Sequence, residues 1–459
     1  MLRSPSNAAH RNFPLDTIHP AAKAFEFARA NNPDLPPLSN WIVPEDDGAK
    51  LNLNQTYDAF FDDSKTDALL IIRNDTILYE RYFGDDNTAD EARLVYSCTK
   101  SFNSALIGFA IQEGYIPGLY QPVCLYIPEW SLDERRHITL GDALYMSSGL
   151  AHEDKKKPWN MLDAATLFWQ KDSYRLVRKV KPRFPAGTAW AYKSLDSHLA
   201  GLVLVEAVDT SWAAYAQAKL WEPLGMEFPA YMSTDLKGSH AKAFGGLAVT
   251  ARDMARFGRL FLNNGNWNGV QLLDEDWVKA SRTPDTTRGH SWQYVRGWWV
   301  MDDAGDPDRQ VLQANGLAGQ FIILNPVTNT IIVRQGPGMK KDFNWSYSLT
   351  QLSWALGDTT HQVARLKPLT PSLIDPITGT YESEDGRRFC IEYDDGALIA
   401  TGRVDDRQPH KSTRLYPDIP GRFLSIWGKV RITQLKSGEA CDALLYECKG
   451  RKCVLKRVE

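Results

Sequence analysis

The sequence predicts an α+β protein in which a mixed antiparallel sheet is flanked by helices and followed by a small all-β domain. Two observations carry this fold class. Apolar runs of strand type occur near residues 68–83 and 319–334, and the long region between them has mainly helical periodicity. After residue 368 the helical pattern stops, and short strand-like runs alternate with turn residues. The early and late hairpins would pair in one sheet, and the C-terminal strands would form a barrel or a sandwich.

Composition divides the chain into three parts. Residues 1–50 are rich in Pro, Asn and Asp, with one helical stretch near 20–31, and we interpret them as an irregular N-terminal leader. Residues 51–367 would form the main domain, and residues 368–459 the C-terminal β-domain, with prolines marking the linker between them. A chain of 459 residues is long enough for two or three domains.

Charge and cysteine content narrow the function classes. A hydrophobic content of 43% and a charged content of 24% are typical of a soluble globular protein, and the net charge of −3 gives no reason to expect a nucleic-acid or membrane partner. No apolar run has the length of a signal peptide or a membrane span, so we expect a cytoplasmic protein. The six cysteines show no metal-binding spacing, which predicts reduced thiols and no metal site.

The main domain begins with a predicted hairpin, made of apolar runs over 68–73 and 77–83 around Asn74-Asp75. A helix should follow Ser97 and end near Gly114. The remaining predicted elements, in chain order, are a helix over 138–144 capped by Thr139, a helix entered at Ser194, helices over 212–220 and 251–263, a strand over 297–301, a hairpin over 319–325 and 330–334, and a helix over 344–356. Seven strands are predicted in the β-domain, at 379–382, 388–393, 397–401, 423–427, 430–435, 443–447 and 453–458.

The helix at Ser97 carries the first candidate chemistry. Apolar residues recur behind it at helical spacing, so Ser97 and Lys100 would share one face of a buried helix. A desolvated lysine beside a serine helps to deprotonate it, and the positive end of a helix favours a developing oxyanion. Taken alone, the pair could also be an ordinary N-cap serine with a solvated lysine. A second pair at this spacing, Ser239 and Lys242, lies in polar, glycine-containing sequence and is interpreted as loop.

Two later stretches carry further candidate residues. Tyr192-x-Ser194 stands at the entrance of a helix, after the turn residues Pro185-Ala186-Gly187. Asn315-Gly316-Leu317-Ala318-Gly319-Gln320 precedes a late strand, and its two glycines allow a close approach of the backbone to another group.

In this order, Ser97-x-x-Lys100, Tyr192-x-Ser194 and Gly316-x-x-Gly319-Gln320 resemble the motifs of the serine β-lactamase and D,D-peptidase superfamily. The likeness is to class C β-lactamases, family VIII esterases and nylon-oligomer (6-aminohexanoate-dimer) hydrolases. Supporting stretches lie at 122–149 and 245–257, and the resemblance covers roughly residues 65–360. It implies a β-lactamase/transpeptidase-like fold and a serine hydrolase that needs no metal or organic cofactor.

The resemblance also implies a role for each motif residue. Ser97 would be the acylated nucleophile, and Lys100, which is partly desolvated, would share its proton. Tyr192 would relay a proton to the leaving group. The backbone N–H groups of Ser97 and Leu317 would form the oxyanion hole. The remaining motif residues would bind the substrate: Ser194, Asn315, Gly316 and Gly319.

Departures from the family pattern bear on the substrate. Class C β-lactamases have Tyr-x-Asn in the second motif, where this chain has Ser194, and Lys-Thr-Gly in the third, where it has Ala314-Asn315-Gly316. The missing lysine ordinarily helps to fix a substrate carboxylate. We therefore expect the small-molecule substrate to be a short ester or a linear amide, with ω-amino-acid oligomers among the candidates, rather than a β-lactam.

Other functions stay open at the level of sequence. A D-amino-acid peptidase or a β-lactam-recognising enzyme would use the same motifs, and a non-catalytic binding protein could keep the same fold, although it would be free to lose Ser97, Lys100 and Tyr192. A Ser-His-Asp hydrolase is disfavoured, because there is no Gly-x-Ser-x-Gly elbow and none of the nine histidines lies in a recognisable motif. The oligomeric state is open, with a homodimer as one option.

Overall fold

The computed structural model describes most of the first 357 residues and the strands that follow them. The described residues are 8–43, 51–84, 87–151, 163–236, 240–283, 290, 291, 293–301, 310–338 and 343–357, then 377–384, 386, 388–394, 397–402, 413–419, 422–425, 430–436, 441–448 and 451–458. The chain divides into two compact units, Met1–His361 and Gln362–Glu459. The domain boundary predicted at 367/368 falls among residues 358–376, which lie outside the described residues.

The first unit contains ten α-helices in its described part. They are α1 Tyr57–Asp63, α2 Thr99–Gln112, α3 Leu140–Leu144, α4 Asp163–Phe168, α5 Ser173–Lys179, α6 Ser194–Val208, α7 Trp212–Ala216, α8 Ala251–Leu262, α9 Glu275–Arg282 and α10 Trp345–Ala355. A π-helical turn, Gln217–Trp221, continues α7. Short 3-10 helices are found at Ala9–Asn12, Leu38–Asn40, Tyr96–Cys98, Val123–Leu125, Pro128–Leu132 and Glu134–His137. The predicted cap at Thr139 is confirmed, since its side chain accepts a backbone N–H group at the start of α3, and the side chain of Thr250 does the same at the start of α8.

The same unit contains fourteen described strands. They are β1 Leu15–Ile18, β2 Ala28–Arg29, β3 Ala68–Arg73, β4 Thr76–Tyr82, β5 Arg93–Leu94, β6 Ala230–Ser233, β7 Leu247–Val249, β8 Asn266–Trp267, β9 Val270–Gln271, β10 Tyr294–Val295, β11 Trp298–Met301, β12 Val311–Gly316, β13 Gln320–Asn325 and β14 Thr330–Gln335.

A large sheet forms the centre of the first unit, with the strand order β10-β11-β12-β13-β14-β3-β4-β2. Its pairs are antiparallel except β2 with β4, which run parallel. Strands β14 and β3 pair with Ile332 opposite Ile71, so the predicted union of the late and early hairpins is confirmed. Both strands are rich in β-branched residues and are almost completely buried, as expected at the middle of a covered sheet.

The N-terminal segment differs from its prediction. No helix forms near residues 20–31. Instead β1 pairs with β6 in a second sheet of order β1-β6-β7-β5, and β2 adds to the edge of the large sheet. The N–H groups of Ala21 and Phe25 donate to the carbonyls of Met226 and Gly225, at 2.8 and 2.9 Å. Hydrogen bonds to distant backbone therefore replace the local ones that the apolar spacing predicted.

Helix α2 lies at the centre of the unit, and every side chain from Thr99 to Ala110 is buried. Phe102 stacks on Phe257 of α8 with 3.7 Å between ring centroids. Gly258 lets α8 lie close against the sheet, because a Cβ there would come within 2.9 Å of the Leu324 side chain. This packing fixes the start of α2 relative to strand β12 and helix α6, where the candidate residues lie.

The second unit is a closed barrel of eight antiparallel strands, in which the last strand pairs with the first. They are β15 Gly379–Ser383, β16 Arg388–Asp394, β17 Ala397–Gly402, β18 Thr413–Ile419, β19 Arg422–Ser425, β20 Val430–Lys436, β21 Cys441–Cys448 and β22 Arg451–Arg457. The all-β prediction is confirmed, but seven strands were predicted. The missed strand β18 contains Pro417, which cannot donate to a ladder and usually argues against a strand; here a register shift follows it.

Among the described residues, no single helix is long and apolar enough to cross a membrane. Only a bent pair, Ser194–Val208 with Trp212–Trp221 at an angle of 79°, reaches the required length and apolar composition when the two are combined.

Candidate active site

Ser97 lies on the one-turn 3-10 helix Tyr96–Cys98, directly before α2. Tyr96 has a φ of +46°, a left-handed conformation that costs a non-glycine residue about 1–2 kcal/mol. Tyr96 and Cys98 are buried, whereas Ser97 is partly exposed. The strained turn therefore presents the serine, and not its neighbours, to solvent.

The neighbouring Cys98 has a structural position. Its thiol donates to the carbonyl of Gln320 at 3.5 Å, which ties the 3-10 helix to the start of β13. Burial raises the pKa of this thiol well above its ordinary value, so the thiolate is strongly disfavoured. Ser97 is the nucleophile candidate of this turn.

Lys100 lies one turn further along and is only 2% exposed. Its Nζ donates to Ser97 Oγ at 2.9 Å, to Ser194 Oγ at 3.3 Å and to the carbonyl of Phe244 at 2.7 Å. The same nitrogen lies 5.2 Å from the ring centroid of Tyr192. The structure thus brings the predicted serine, lysine and second-motif residues together around one buried amine.

The second motif is fixed by a buried ion pair that the sequence analysis missed. Lys193 is the N-cap residue of α6, and its Nζ lies 3.2 Å from Asp196 Oδ2 and 2.8 Å from Ser148 Oγ. Ser148 donates to the other Asp196 oxygen at 2.6 Å, and all three side chains are buried. Burial raises the pKa of Asp196, while Lys193 opposes that rise. Opposite charges three residues apart across a helix start were the available signal.

The third motif occupies the turn between β12 and β13, where Gly316 pairs with Gln320. A Cβ on Gly316 would lie 2.3 Å from the carbonyl oxygen of Val95, so only glycine lets this strand end approach the nucleophile turn so closely. Ala318 and Gly319 have φ of +63° and +85°. Leu317 is 48% exposed at this turn, beside the serine segment.

Asn315 differs from the other predicted substrate-binding residues in its surroundings. Its Nδ2 donates to Gln313 Oε1 at 3.1 Å, within its own strand. Gln313 is in turn held by Ser346 and Thr350 of α10. The described contacts of Asn315 are therefore to this strand network, whereas those of Ser194 are to Lys100.

Aromatic rings line the second-motif side of the site. Tyr192 stacks on Trp299 with centroids 5.4 Å apart and meets Tyr294 edge-on at 5.3 Å. Trp190 meets Trp299 edge-on, with ring centroids 6.5 Å apart. Trp190, Tyr192 and Trp299 are partly exposed. Among the residues the structure describes, no three His, Cys, Asp or Glu side chains come together as a metal site.

The sequence pattern of the β-lactamase family matches residues 53–339, which is more than half of the chain. The chain belongs to the β-lactamase family. This finding confirms the resemblance carried by the three motifs and the β-lactamase/transpeptidase-like fold class. The protein is therefore a member of a family of β-lactamase-like serine hydrolases.

Individual relatives of this β-lactamase-family protein are distant. It is 27% identical over 296 residues to the 6-aminohexanoate-dimer hydrolase of Paenarthrobacter ureafaciens, covering 59% of this chain and 72% of that protein. It is 23% identical over 403 residues to beta-lactamase-like protein 2 of Dictyostelium discoideum, covering 72% and 70%. Among solved structures, the "Putative 6-aminohexanoate-dimer hydrolase" from Bacillus anthracis superposes with a TM-score of 0.63 at 23% identity, covering 76% of this chain and 91% of that one.

Proposed function

We propose that this protein is a serine hydrolase that cleaves an ester or a linear amide through an acyl-enzyme on Ser97. The observation that carries the proposal is the 2.9 Å contact between Lys100 Nζ and Ser97 Oγ, made by a lysine that is only 2% exposed. A serine is a weak nucleophile until a base takes its proton, and this amine is within direct reach of it.

The partners of Lys100 allow it to act as a base whenever its amine is neutral. A neutral amine has two N–H donors and one lone pair. The Phe244 carbonyl can only accept, so it takes one N–H, and Ser194 Oγ can accept the other. In this neutral form the lone pair can take the hydroxyl proton of Ser97, so that the 2.9 Å hydrogen bond would then run from Ser97 Oγ to Lys100 Nζ.

The proposed reaction proceeds in two halves. In acylation, Ser97 Oγ bonds to the substrate carbonyl carbon while its proton moves to Lys100, and the carbonyl oxygen becomes an oxyanion beside the N–H groups of Ser97 and Leu317. Collapse breaks the bond to the alcohol or amine, which leaves with a proton relayed through Tyr192. Water then attacks the acyl-enzyme, and the acid leaves as the Ser97 hydroxyl is restored.

Two features of the site support a substrate that has an aliphatic chain and no carboxylate fixed as in class C β-lactamases. Ala314 occupies the position where class C β-lactamases have the lysine that helps to fix a substrate carboxylate. The rings of Trp190, Tyr192 and Trp299 offer an apolar surface with a polar edge, which suits an aliphatic chain. Linear ω-amino-acid amides offer such an aliphatic chain on both sides of the amide bond, and the name of the relative at 27% identity, a 6-aminohexanoate-dimer hydrolase, supports the same class.

The test is a p-nitrophenyl short-chain ester, followed by nitrophenol release and by intact mass after rapid quenching. The wild-type protein should release nitrophenol and carry one acyl adduct, whereas Ser97→Ala should do neither. Ser104→Ala is the matched control, because Ser104 is a buried serine further along the same helix and should leave release unchanged. A 6-aminohexanoate dimer then tests the amide class. Absence of both release and adduct from the wild-type protein would contradict the proposal and favour a binding function.

A further inference from the structure

We propose that Arg334 is a positioning residue for the turn between β12 and β13, and through it for the Leu317 N–H that faces the oxyanion. This inference rests on the proposed function. Arg334 lies on β14, two strands away from β12, and its side chain is fully buried. It belongs to none of the three sequence motifs.

The guanidinium of Arg334 is used to bind backbone carbonyls. Within the described part of the chain, Arg334 forms no salt bridge: Asp67 pairs with Arg93 at 3.1 Å instead, and the Cζ atom of Arg334 lies 3.8 Å from the centroid of the Trp345 ring. Burial lowers the pKa of Arg334 to about 9, with Asp67 opposing the shift from a distance. Its hydrogen bonds go to Gly319 O at 2.6 Å, Thr66 Oγ1 at 3.0 Å, Lys65 O at 2.9 Å, Gly338 O at 3.1 Å and Ser64 O at 3.2 Å.

A buried cation without a close carboxylate destabilises a fold relative to an apolar residue of similar volume. An apolar side chain could fill the space between the sheet and α10, but it could not join three separate backbone segments. Those segments are the loop after α1, the turn after β12 and the stretch after β14. The planar fork of arginine suits this arrangement, because its N–H groups point in fixed, divergent directions.

The hydrogen bond to the Gly319 carbonyl links Arg334 to the candidate site. Gly319 is two residues from Leu317, in a turn where Ala318 and Gly319 both have left-handed backbones. Holding the Gly319 carbonyl fixes the peptide planes of so short a turn, and therefore the direction of the Leu317 N–H. A second support comes from Gln320, whose side-chain amide exchanges hydrogen bonds with both backbone groups of Gly336.

The positive charge of Arg334 should also stabilise the oxyanion directly. The cation is fully buried and donates to the Gly319 carbonyl, within the turn proposed to face the developing oxyanion. A fixed positive charge in such a setting stabilises negative charge that appears only in the transition state. Arg334 should therefore affect the rate of acylation more than the binding of the substrate.

The experiment uses the full-length protein with Arg334→Lys, which keeps the charge but loses the fork. Hydrogen–deuterium exchange of the peptide over residues 312–322 and the rate of acylation by a p-nitrophenyl ester are measured together. We expect faster exchange at the turn and an acylation rate lower by roughly 10- to 100-fold, since loss of a whole oxyanion donor costs about 10²–10³-fold. KM should stay within about threefold of the wild-type value, and the midpoint of the pH–rate profile should be unchanged.

Two further variants make the outcome decisive. Thr66→Val removes only the hydroxyl that accepts from Arg334 Nε, so exchange at the turn should be faster and acylation slower, both by less than in Arg334→Lys. This variant keeps the test decisive where Arg334→Lys folds poorly. Arg282→Lys is the control, because Arg282 also donates to a backbone carbonyl, that of Phe261, but lies on α9. Unchanged exchange at the turn in folded Arg334→Lys and in Thr66→Val would overturn the inference, as would an equal rate loss in Arg282→Lys. A wild-type protein that forms no acyl adduct would instead contradict the proposed function, while exchange still tests the turn.

Discussion

Lys242 is a further buried lysine, besides Lys100 and Lys193, and its environment leads to a quantitative prediction about pH and stability. Its side chain is 0% exposed, and its Nζ lies 3.5 Å from the Gln170 carbonyl and 4.6 Å from the centroid of the Phe13 ring. Burial lowers its pKa from 10.5 to about 8, although Asp235 opposes the shift. The perturbation to make is Lys242→Met, which keeps the apolar stem and removes the ammonium group.

The direction in which pH changes the stability follows from the difference between the pKa of Lys242 in the folded and in the unfolded protein. Because the folded value, about 8, lies below the unfolded value of 10.5, the folded state resists protonation of Lys242. Stability is therefore reduced below pH 8 and recovers as the pH rises from about 8 to 10.5. This pKa shift corresponds to a loss of about 3 kcal/mol in the free energy of unfolding at neutral pH, which the wild-type protein would regain if the ammonium group were removed. Loss of the weak contact with Gln170 offsets about 1 kcal/mol of this gain, so Lys242→Met should be more stable than the wild-type protein by about 2 kcal/mol at pH 7.

The assay is thermal unfolding followed by tryptophan fluorescence at several pH values from 7 to 10. At pH 7 the variant should unfold about 3–6 °C higher than the wild-type protein, and the difference should shrink steadily toward pH 10. Lys279→Met is the control, because Lys279 is an exposed helix residue that pairs with Glu275, and its removal should show no such trend. A difference that stays constant across this pH range would refute the reasoning, since only a shifted pKa can produce the slope.

Three other predictions concern the site. Either single substitution, Lys193→Met or Asp196→Asn, should lower the free energy of unfolding by about 3–5 kcal/mol in urea unfolding. The double variant Lys193→Met/Asp196→Leu should recover most of this loss, because a lone buried charge is less favourable than no buried charge. Gly316→Ala should lower kcat by roughly 10²-fold in a folded protein, since its methyl group would lie 2.3 Å from a carbonyl of the nucleophile turn; Gly245→Ala, with 3.7 Å of room, is the control. Ala318→Gly should raise the unfolding free energy by about 0.5–1 kcal/mol by relieving a φ of +63°, and an unchanged value would show that the turn is unstrained.

The centre of the candidate site could be predicted from sequence because it depends on the spacing of two residues at the start of a buried helix. Ser97 and Lys100 are three residues apart, and the apolar residues behind them predicted a buried helix that carries both. The role of Phe244 could not be predicted, since its contribution is a backbone carbonyl that any residue supplies. Arg334 was missed for a related reason: a single arginine in an apolar strand has no local pattern that distinguishes it from an edge residue.

The fold was predictable where one face of an element decides its packing. Strands β3, β13 and β14 are short apolar runs bounded by turn residues. The pairing of β13 with β14 followed from the late hairpin, and the union of the early and late hairpins was predicted from the strands at both ends of the domain. The segment near residues 20–31 was mispredicted because its partners are distant in sequence. Its apolar spacing suits a helix, yet its N–H groups bond to Gly225 and Met226. Strand β18 was missed because Pro417 argues against a strand, which is correct for most central strands but not for an irregular position in a barrel.

The three motifs come together in one candidate site, and each is held there by a contact that takes no part in the proposed reaction. A left-handed Tyr96 turns the serine outward, the Lys193–Asp196 pair fixes the start of α6, and the lack of a side chain at Gly316 lets β12 touch the nucleophile turn. Each of these devices is destabilising or neutral for folding by itself. Their joint presence around Ser97 and Lys100 is difficult to explain by stability alone, whereas a hydrolase needs the serine, the amine and the oxyanion donors to keep fixed positions throughout the reaction.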